Sequence, residues 1–275
     1  MRKKITDKLK SISEEPILTS FIVLIILSFL IIGLSLPYYI NNFYGFYAQV
    51  LAEAHGMIFD IAIIGILIFW LNKNGEKRLR IKTYKDEIDD FRLWESNEAA
   101  FRTVGNIKRL NRHKIYEIDL VDCFLAKTNL NYVNLTESNL NNADINNANL
   151  IHCNLESTRL NQTNFDHCNM NQANLKNAYA NGANFSDACL IKANLQNAFL
   201  IKANFKRAFL MEANLNGCYL AEADFEGANL YKADFRNAVG LSISQLINVK
   251  SLYLAKFDDD IMIALKKEMP ALVEK

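Results

Sequence analysis

Two histidine–cysteine pairs, His152-Cys153 and His167-Cys168, are the parts of this 275-residue sequence that most resemble metal ligands. Zinc sites usually separate their cysteines by about two to four residues and their histidines by about three to five. Neither spacing occurs in the sequence. The repeat described below also directs the two imidazoles outward and the two thiols inward. We therefore expect no metal site and no bound cofactor.

The sequence signatures of catalysis and phosphate binding are missing. The chain contains no GxxxxGK[ST], GxGxxG, GxSxG, HExxH or CxxC motif, and it has four histidines. Its five cysteines are an odd number without paired spacing, which favours a reducing compartment over a disulfide framework. We therefore expect a protein that is not an enzyme.

Asp60 is the one ionisable residue inside the apolar run 57–71, which is a candidate membrane span. Carboxylates inside membranes often line pores or proton paths. Asp60 is also one helical turn from Met57, so its side chain would reach the outer interface or a polar group of a neighbouring helix. The sequence leaves both interpretations of this candidate intramembrane polar site open.

Two apolar segments predict a transmembrane hairpin. Residues 17–36 carry no charge between Pro16 and Pro37, and residues 56–72 form the second, shorter segment. Basic residues precede the first segment and follow the second, whereas the connection 37–55 has no Lys or Arg. The positive-inside rule therefore predicts a multi-pass protein of the inner (plasma) membrane with cytoplasmic N- and C-termini.

The segment after the hairpin, 73–114, has the apolar spacing of two amphipathic helices, the second with Ser96 as its N-cap. Basic residues at both ends of this segment suit either an anionic partner, such as lipid or nucleic acid, or a solvated helix end. The candidate contacts with membrane lipid are Lys77, Arg78, Arg80, Lys108, Arg109 and Arg112.

A five-residue repeat fills residues 118–237 without an insertion. Its 24 units have an apolar central residue at every multiple of five from Leu120 to Phe235, and sixteen of these centres are Leu. The residue two before the centre is Ala in fourteen units, and the residue just before it is Asn or Asp in seventeen. A period of five fits neither a straight helix nor a strand, so each unit must turn the chain and stack on others to bury its centre.

These Ala-Asn-Leu and Ala-Asp-Phe units resemble the pentapeptide-repeat family. The resemblance implies an all-β solenoid, a right-handed quadrilateral β-helix of about six coils with one unit on each side. Neighbouring coils would then pair residues twenty apart, which places Phe165, Phe185, Phe205 and Phe225 in one column. We expect the Asn columns to hydrogen-bond turns and coils, and the cysteines two before a centre to lie in the core.

The expected organisation has seven segments. They are a cytoplasmic basic N-terminus, a first transmembrane helix, an extracytoplasmic loop, a second transmembrane helix, juxtamembrane amphipathic helices, the β-helix and a C-terminal helical cap, at 1–16, 17–36, 37–55, 56–72, 73–114, 115–240 and 241–275.

Outward positions that break the repeat are the candidate interface. They place apolar side chains where Asn, Asp or other polar residues are the rule, on two opposite sides of the last three coils. Alternatively, these side chains brace the coils or are covered by the C-terminal helix. The candidate residues are Tyr179, Cys189, Ile191, Phe199, Ile201, Phe209, Met211, Tyr219 and Tyr231.

Three functions fit these features. The first is a membrane-tethered scaffold that presents a cytoplasmic β-helix to an unknown cytoplasmic protein or to a second copy of the chain. The second is an oligomeric membrane effector or pore controlled by the solenoid. The family resemblance implies a third, a DNA mimic that binds gyrase, which we rank last because residues 118–240 have nine basic and twelve acidic side chains. For the same reason we do not expect nucleic acid as a partner.

Overall fold

The computed structural model describes residues 24–26, 28–33, 36, 40 and 43–273. The chain forms two compact units, Met1–Gly75 and Glu76–Lys275. The predicted basic N-terminus, 1–16, and about half of the predicted first transmembrane helix, 17–36, lie outside the described residues, as do the last two residues of the chain.

Helix α1 comprises Phe43–Asp90, 48 residues with a length of about 72 Å. It begins inside the segment that we predicted as an extracytoplasmic loop, 37–55, because 46–54 contain the helix formers Ala, Leu and Glu and no Gly or Pro. Its stretch Glu53–Asp90 has the length and the apolar composition of a membrane span. It is the one such helix among the described residues, so the predicted two-helix hairpin is not found there.

Helix α2, Asn97–Arg112, closes the N-terminal end of the solenoid. Ser96 is its N-cap, as predicted, and the hydroxyl oxygen accepts a hydrogen bond from the Ala99 backbone N–H at 3.1 Å. Val104, Ile107 and Leu110 on its inner face join the core of the first coils, whereas Phe101 is 63% exposed. The apolar face of α2 thus covers the end of the coil stack.

Parallel bridges between residues twenty apart define the coils, from Asp119↔Asn139 to Tyr219↔Val239. They confirm four units per coil. Each unit contributes a single bridged residue, the one before the centre, so the sides are isolated bridges instead of extended strands. The centres from Leu120 to Phe235 are at most 1% exposed, and the residues two before them are buried as well. The inner phenylalanine column, Phe165, Phe185, Phe205 and Phe225, stacks inside with centroids 4.9–5.2 Å apart.

The residue two after each centre is in the left-handed region in all 24 units, with φ between 54° and 69°. The centre's carbonyl accepts a hydrogen bond from the N–H three residues later, as Leu140 does from Ala143 at 3.0 Å. This is a β-turn of type II, which requires a positive φ at its third residue. None of the 24 positions holds Val, Ile or Thr, whose branched side chains fit this conformation poorly.

The solenoid continues beyond residue 240, where we had placed its end. Ser251 and Lys256 bridge to Asn229 and Asp234, twenty-two residues earlier, and Leu252 and Phe257 occupy the buried central positions. Two additional residues, in a turn that contains the 3₁₀ helix η1, Ile243–Leu246, shift the register and hide this partial seventh coil from a strict period of five.

Two helices follow the seventh coil. They are α3, Asp259–Glu268, and α4, Pro270–Val273, which agree with the predicted C-terminal helical cap. The Asp258 carboxylate accepts a hydrogen bond from the Asn237 backbone N–H at 2.9 Å, and Leu265 of α3 is fully buried in the core. These contacts attach the C-terminal helices to the last coils.

Candidate functional site

Three aromatic rings form a ladder on the outside of one side of the solenoid. This outer aromatic column consists of Tyr179, Phe199 and Tyr219, each at the position before the centre where Asn or Asp is the rule. Bridges hold their backbones together, so the rings stack with centroid distances of 4.9 and 4.6 Å and interplanar angles of 5° and 2°. Tyr179 is 44% exposed and Tyr219 38%, and Phe199 is half-buried between them.

The residues beside this column are mostly uncharged, although the exposed Arg159 bridges to Tyr179 at one end of it. The residues just after the centres on this side, from coil three to coil six, are Asn161, Asn181, Ile201 and Ala221. Ile201 is half-buried, and its backbone N–H donates to the side-chain oxygen of Asn181 at 3.1 Å. The structure thus brings Ile201 next to the column, as the candidate interface predicted.

The opposite side has a second apolar surface, formed by Cys189, Ile191, Phe209, Met211 and Tyr231. Phe209 is 41% exposed and the other four are half-buried. Tyr231 stacks against Tyr253 of the seventh coil with centroids 5.9 Å apart. Tyr253 escaped our sequence reasoning because the two-residue insertion moves it out of the repeat register. The signal that marks it is the apolar Leu252–Phe257 spacing of five.

The two remaining sides have asparagine ladders at the equivalent position. Asn174, Asn194 and Asn214 each donate a side-chain N–H to the asparagine oxygen twenty residues earlier, at 2.9, 3.2 and 3.3 Å. The same oxygens accept the backbone N–H two residues later, as Asn194 does from Gln196 at 3.2 Å. These side chains are occupied with turns and neighbouring coils, as predicted, and leave no apolar surface.

Four ion pairs of the last coils run along the solenoid and join residues twenty apart. Lys192 pairs with Glu212 at 3.7 Å, Lys202 with Glu222 at 3.5 Å and Lys206 with Glu226 at 2.8 Å. Arg207 holds both oxygens of Asp187 at 2.8 and 2.6 Å, and this hydrogen bonding lowers the pKa of the carboxyl. The acidic side chains of this region are therefore largely neutralised by neighbouring cations.

The family model described as pentapeptide repeats matches the chain in eight copies, over residues 118–156, 158–197, 168–207, 188–220 and 208–239. These ranges coincide with the units whose centres are buried and whose bridges join residues twenty apart. Residues 118–239 belong to the pentapeptide-repeat family. The fold of the family, a right-handed β-helix solenoid, agrees with the coils described above. Members of the family are typically scaffolds without enzymatic activity.

Solved pentapeptide-repeat structures are similar to this chain at low identity. QnrB1, a plasmid-mediated fluoroquinolone resistance protein, is 18% identical, with 55% of this chain and 83% of that one covered and a TM-score of 0.30. Rfr23 from the cyanobacterium Cyanothece 51142 is 26% identical, with coverages of 50% and 97% and a TM-score of 0.27. HetL from Nostoc sp. strain PCC 7120 is 23% identical, with coverages of 55% and 93% and a TM-score of 0.25. No curated protein matches the chain.

Four of the five cysteines are core residues. Cys123, Cys153, Cys168 and Cys218 are buried two before a centre, and burial raises the pKa of each thiol to about 12. The histidines beside them point outward, so neither histidine–cysteine pair converges. His167 lies instead near Asp166 and Asp187, with ligand atoms within 4.8 Å of one another. Arg207 binds the Asp187 carboxylate, so the group formed by His167, Asp166 and Asp187 is an ion-pair cluster.

Asp60 and the candidate basic residues lie on helices outside the repeats, and all of them are exposed except Lys108, which is half-buried. Asp60 lies on α1, and no hydrogen bond or ion pair joins it to another described residue. The candidate basic residues are divided between α1 and α2, three on each. Arg80 pairs with Glu76 at 3.7 Å. Arg109 donates to the side-chain oxygen of Asn106 at 2.7 Å and lies over the Tyr84 ring. Lys77, Arg78, Lys108 and Arg112 have no such partner in the described part of the chain.

Proposed function

We propose that this pentapeptide-repeat protein is a membrane-tethered scaffold whose β-helix binds a cytoplasmic protein, or a second copy of the chain, through the outer aromatic column. The observation behind the proposal is that Tyr179, Phe199 and Tyr219 are aligned and remain partly exposed, although the same position is polar in most units. Stacking covers ring faces and leaves ring edges in water. Removing those edges from water favours association.

The composition of the surface supports contact with protein. Aromatic residues are enriched and charged residues depleted at the centres of protein–protein interfaces, because desolvating a charge is costly. The column is flanked by amide and small apolar side chains, and the nearest ion pair on its side, Lys202–Glu222, lies at the corner. The exposed Arg159, whose backbone bridges to that of Tyr179, is a cation at the edge of the column, and a partner must pair it or leave it in water.

Tethering rests on α1. Its apolar stretch has a mean hydropathy of 2.1 over its most apolar 18 residues, which suits a membrane span. We infer that residues 17–36 make a second crossing, with both termini cytoplasmic. In that arrangement Lys77, Arg78 and Arg80 lie just beyond the apolar stretch, where each cation contributes about 1 kcal/mol of attraction to anionic lipid. Failure of the protein to remain with membranes after alkaline extraction would refute the tether.

The interface is tested by crosslinking in cells. The double variant Tyr179→Ser with Phe199→Ser removes two rings of the column, and Phe101→Ser, which changes an exposed aromatic residue of α2, is the matched control. We expect the crosslinked species of the wild type to disappear in the double variant and to persist in the control. Two differently tagged copies distinguish self-association from a different partner. An unchanged crosslinking pattern in the double variant would rule out the column as the interface.

The charge distribution disfavours the gyrase-binding alternative. A DNA mimic needs a continuous negative surface, whereas Glu212, Glu222 and Glu226 each pair with a lysine. A supercoiling assay provides the check, and we expect the protein neither to inhibit gyrase nor to protect it.

A further inference from the structure

An open cleft of about 480 Å³ lies where helix α2 meets the first coil. Eight residues line it, and none of them is acidic. Lys108 and Arg112 of α2 contribute two cations, Tyr116 and Tyr132 contribute two phenol rings, and Asn131 contributes an amide. The cleft is distant in sequence from the outer aromatic column, and the scaffold proposal makes no use of it.

The two cations of this cleft differ from those of the last coils. Lys192, Lys202 and Lys206 each have a carboxylate partner on the next coil. Lys108 and Arg112 have neither an ion pair nor a hydrogen bond within the described part of the chain, although they are four residues apart on one face of α2. Proximity to the helix C-terminus favours such cations but leaves their hydrogen-bond donors unused.

An aromatic ring beside these cations has one free face. Tyr132 stacks on His152 with centroids 5.1 Å apart and an interplanar angle of 19°. Because 74% of the Tyr132 side chain is nevertheless exposed, the opposite face of its ring is open to the cleft. The stack of rings along this corner therefore ends at a face that a planar group can cover.

Hydrogen-bond donors complete the cleft. The Asn131 side-chain oxygen accepts the Ile151 backbone N–H at 2.8 Å, which leaves the amide N–H groups without an acceptor among the described residues. The hydroxyls of Tyr116 and Tyr132 have no hydrogen-bond partner there either. The cleft thus combines unpaired cations, unused neutral donors and an open aromatic face.

We propose that this cleft binds a nucleotide, with its base on the free face of Tyr132 and its phosphates on Lys108 and Arg112. Phosphate oxygens accept from lysine and from the guanidinium fork in charge-assisted hydrogen bonds. A nucleobase stacks on an aromatic side chain irrespective of its sequence identity. The cleft volume falls in the range of small-molecule sites, about 300–1,000 Å³, and suits a single nucleotide more than a polynucleotide chain.

The test is calorimetric titration of the full chain in detergent micelles with ATP, adenosine and pyrophosphate. ATP offers a base and phosphates, and each of the other two probes offers one of them. We expect ATP to bind saturably and more tightly than either fragment. Tyr132→Ala should weaken ATP binding about tenfold, whereas Tyr132→Phe should retain it. Lys108→Gln with Arg112→Gln should weaken it by at least about tenfold and reduce its dependence on salt.

Lys192→Gln with Lys202→Gln is the matched control, because it removes two exposed lysines that have carboxylate partners. This control should leave ATP binding unchanged. Absence of saturable ATP binding, or equal affinity in the wild type and Tyr132→Ala, would overturn the proposal. Vesicles of phosphatidylcholine and phosphatidylglycerol form the last arm. If Lys108→Gln with Arg112→Gln abolishes vesicle binding and ATP neither binds nor competes, the cations serve a lipid surface and the nucleotide site is refuted.

Discussion

Two columns of stacked rings run along the coils, the inner phenylalanine column and the outer aromatic column. Their geometry is nearly the same: ring centroids are 4.9–5.2 Å apart inside and 4.6–4.9 Å outside, with interplanar angles of 2–5°. Their burial differs, because the inner rings are fully buried and the outer ones expose up to 44% of the side chain. The coil spacing therefore produces the stacking in both columns. Burial differs between them, so the inner rings stabilise the fold, whereas the outer rings remain available to a partner.

Removal of a ring from the inner column should reduce the stability of the protein most. Phe205→Ala takes away a fully buried ring that stacks on Phe185 and Phe225, and we expect the free energy of unfolding to fall by about 3–5 kcal/mol. Phe205→Leu is the matched control, because Leu125 already occupies the same column, and it should cost less than half as much. Equilibrium denaturation followed by circular dichroism measures both. Equal losses in the two variants would contradict this expectation, because they would show that the stacked ring matters and that the volume filled by Leu does not.

The buried cysteines of the core should make the stability of the protein depend on pH. Burial raises the pKa of the Cys153 thiol to about 12 in the folded protein, against 9.0 for an ordinary thiol. Between those values the unfolded chain releases a proton that the folded chain retains, so stability is complete below pH 9.0 and decreases as the pH rises towards 12.

About one pH unit above 9.0, Cys153 should therefore lower the free energy of unfolding by about 1.4 kcal/mol. The measurement compares the stability of the wild type and Cys153→Ala at pH 8 and pH 10, since Ala is the usual residue two before a centre. Parallel pH dependence in the two proteins would contradict the burial of this thiol.

The repeat illustrates what a sequence reveals about a solenoid. Residues twenty apart share chemistry, so the inner column, the asparagine ladders and the buried cysteines could all be predicted from the period. The left-handed residue two after each centre was missed because its signal is negative, an absence of Val, Ile and Thr in positions that otherwise hold many residue types. A required backbone conformation excludes some types of side chain but does not demand a particular one.

Other misses arise where the period ends. The partial seventh coil lies behind a two-residue insertion, which breaks a fixed register although Leu252 and Phe257 are buried as in other coils. Helix α1 begins at Phe43 because local helix propensity continues across the boundary that we placed at the start of the apolar run 57–71. The cleft between α2 and the first coil was also missed. It depends on packing between two elements that have no common sequence pattern.

The asparagine ladders occupy the position before the centre, as the outer column does, but on the other two sides. Their loss should reduce stability less than the loss of an inner ring and more than the loss of an outer one. Asn194→Ala removes a side chain that donates to Asn174, accepts from Asn214 and accepts from the Gln196 backbone N–H. These groups are partly buried, so water replaces some of the lost bonds, and we expect a cost of about 1 kcal/mol. Asn194→Asp retains the acceptor and should cost less. A denaturation midpoint that does not change in Asn194→Ala would show that the ladder serves solubility and not stability.

Removal of a ring from the outer column should have the smallest effect on stability. The size of this effect distinguishes rings that brace the coils from rings that form an interface. If the rings brace the coils, Phe199→Ser should cost as much as the loss of an inner ring. If they bind a partner, the isolated protein should lose less than about 1 kcal/mol, because a half-buried ring loses less contact area than a fully buried one. We expect the smaller value from equilibrium denaturation of the purified chain, together with loss of crosslinking in cells. A loss near that of Phe205→Ala would identify the outer rings as structural and would remove the main support for an interface on this side.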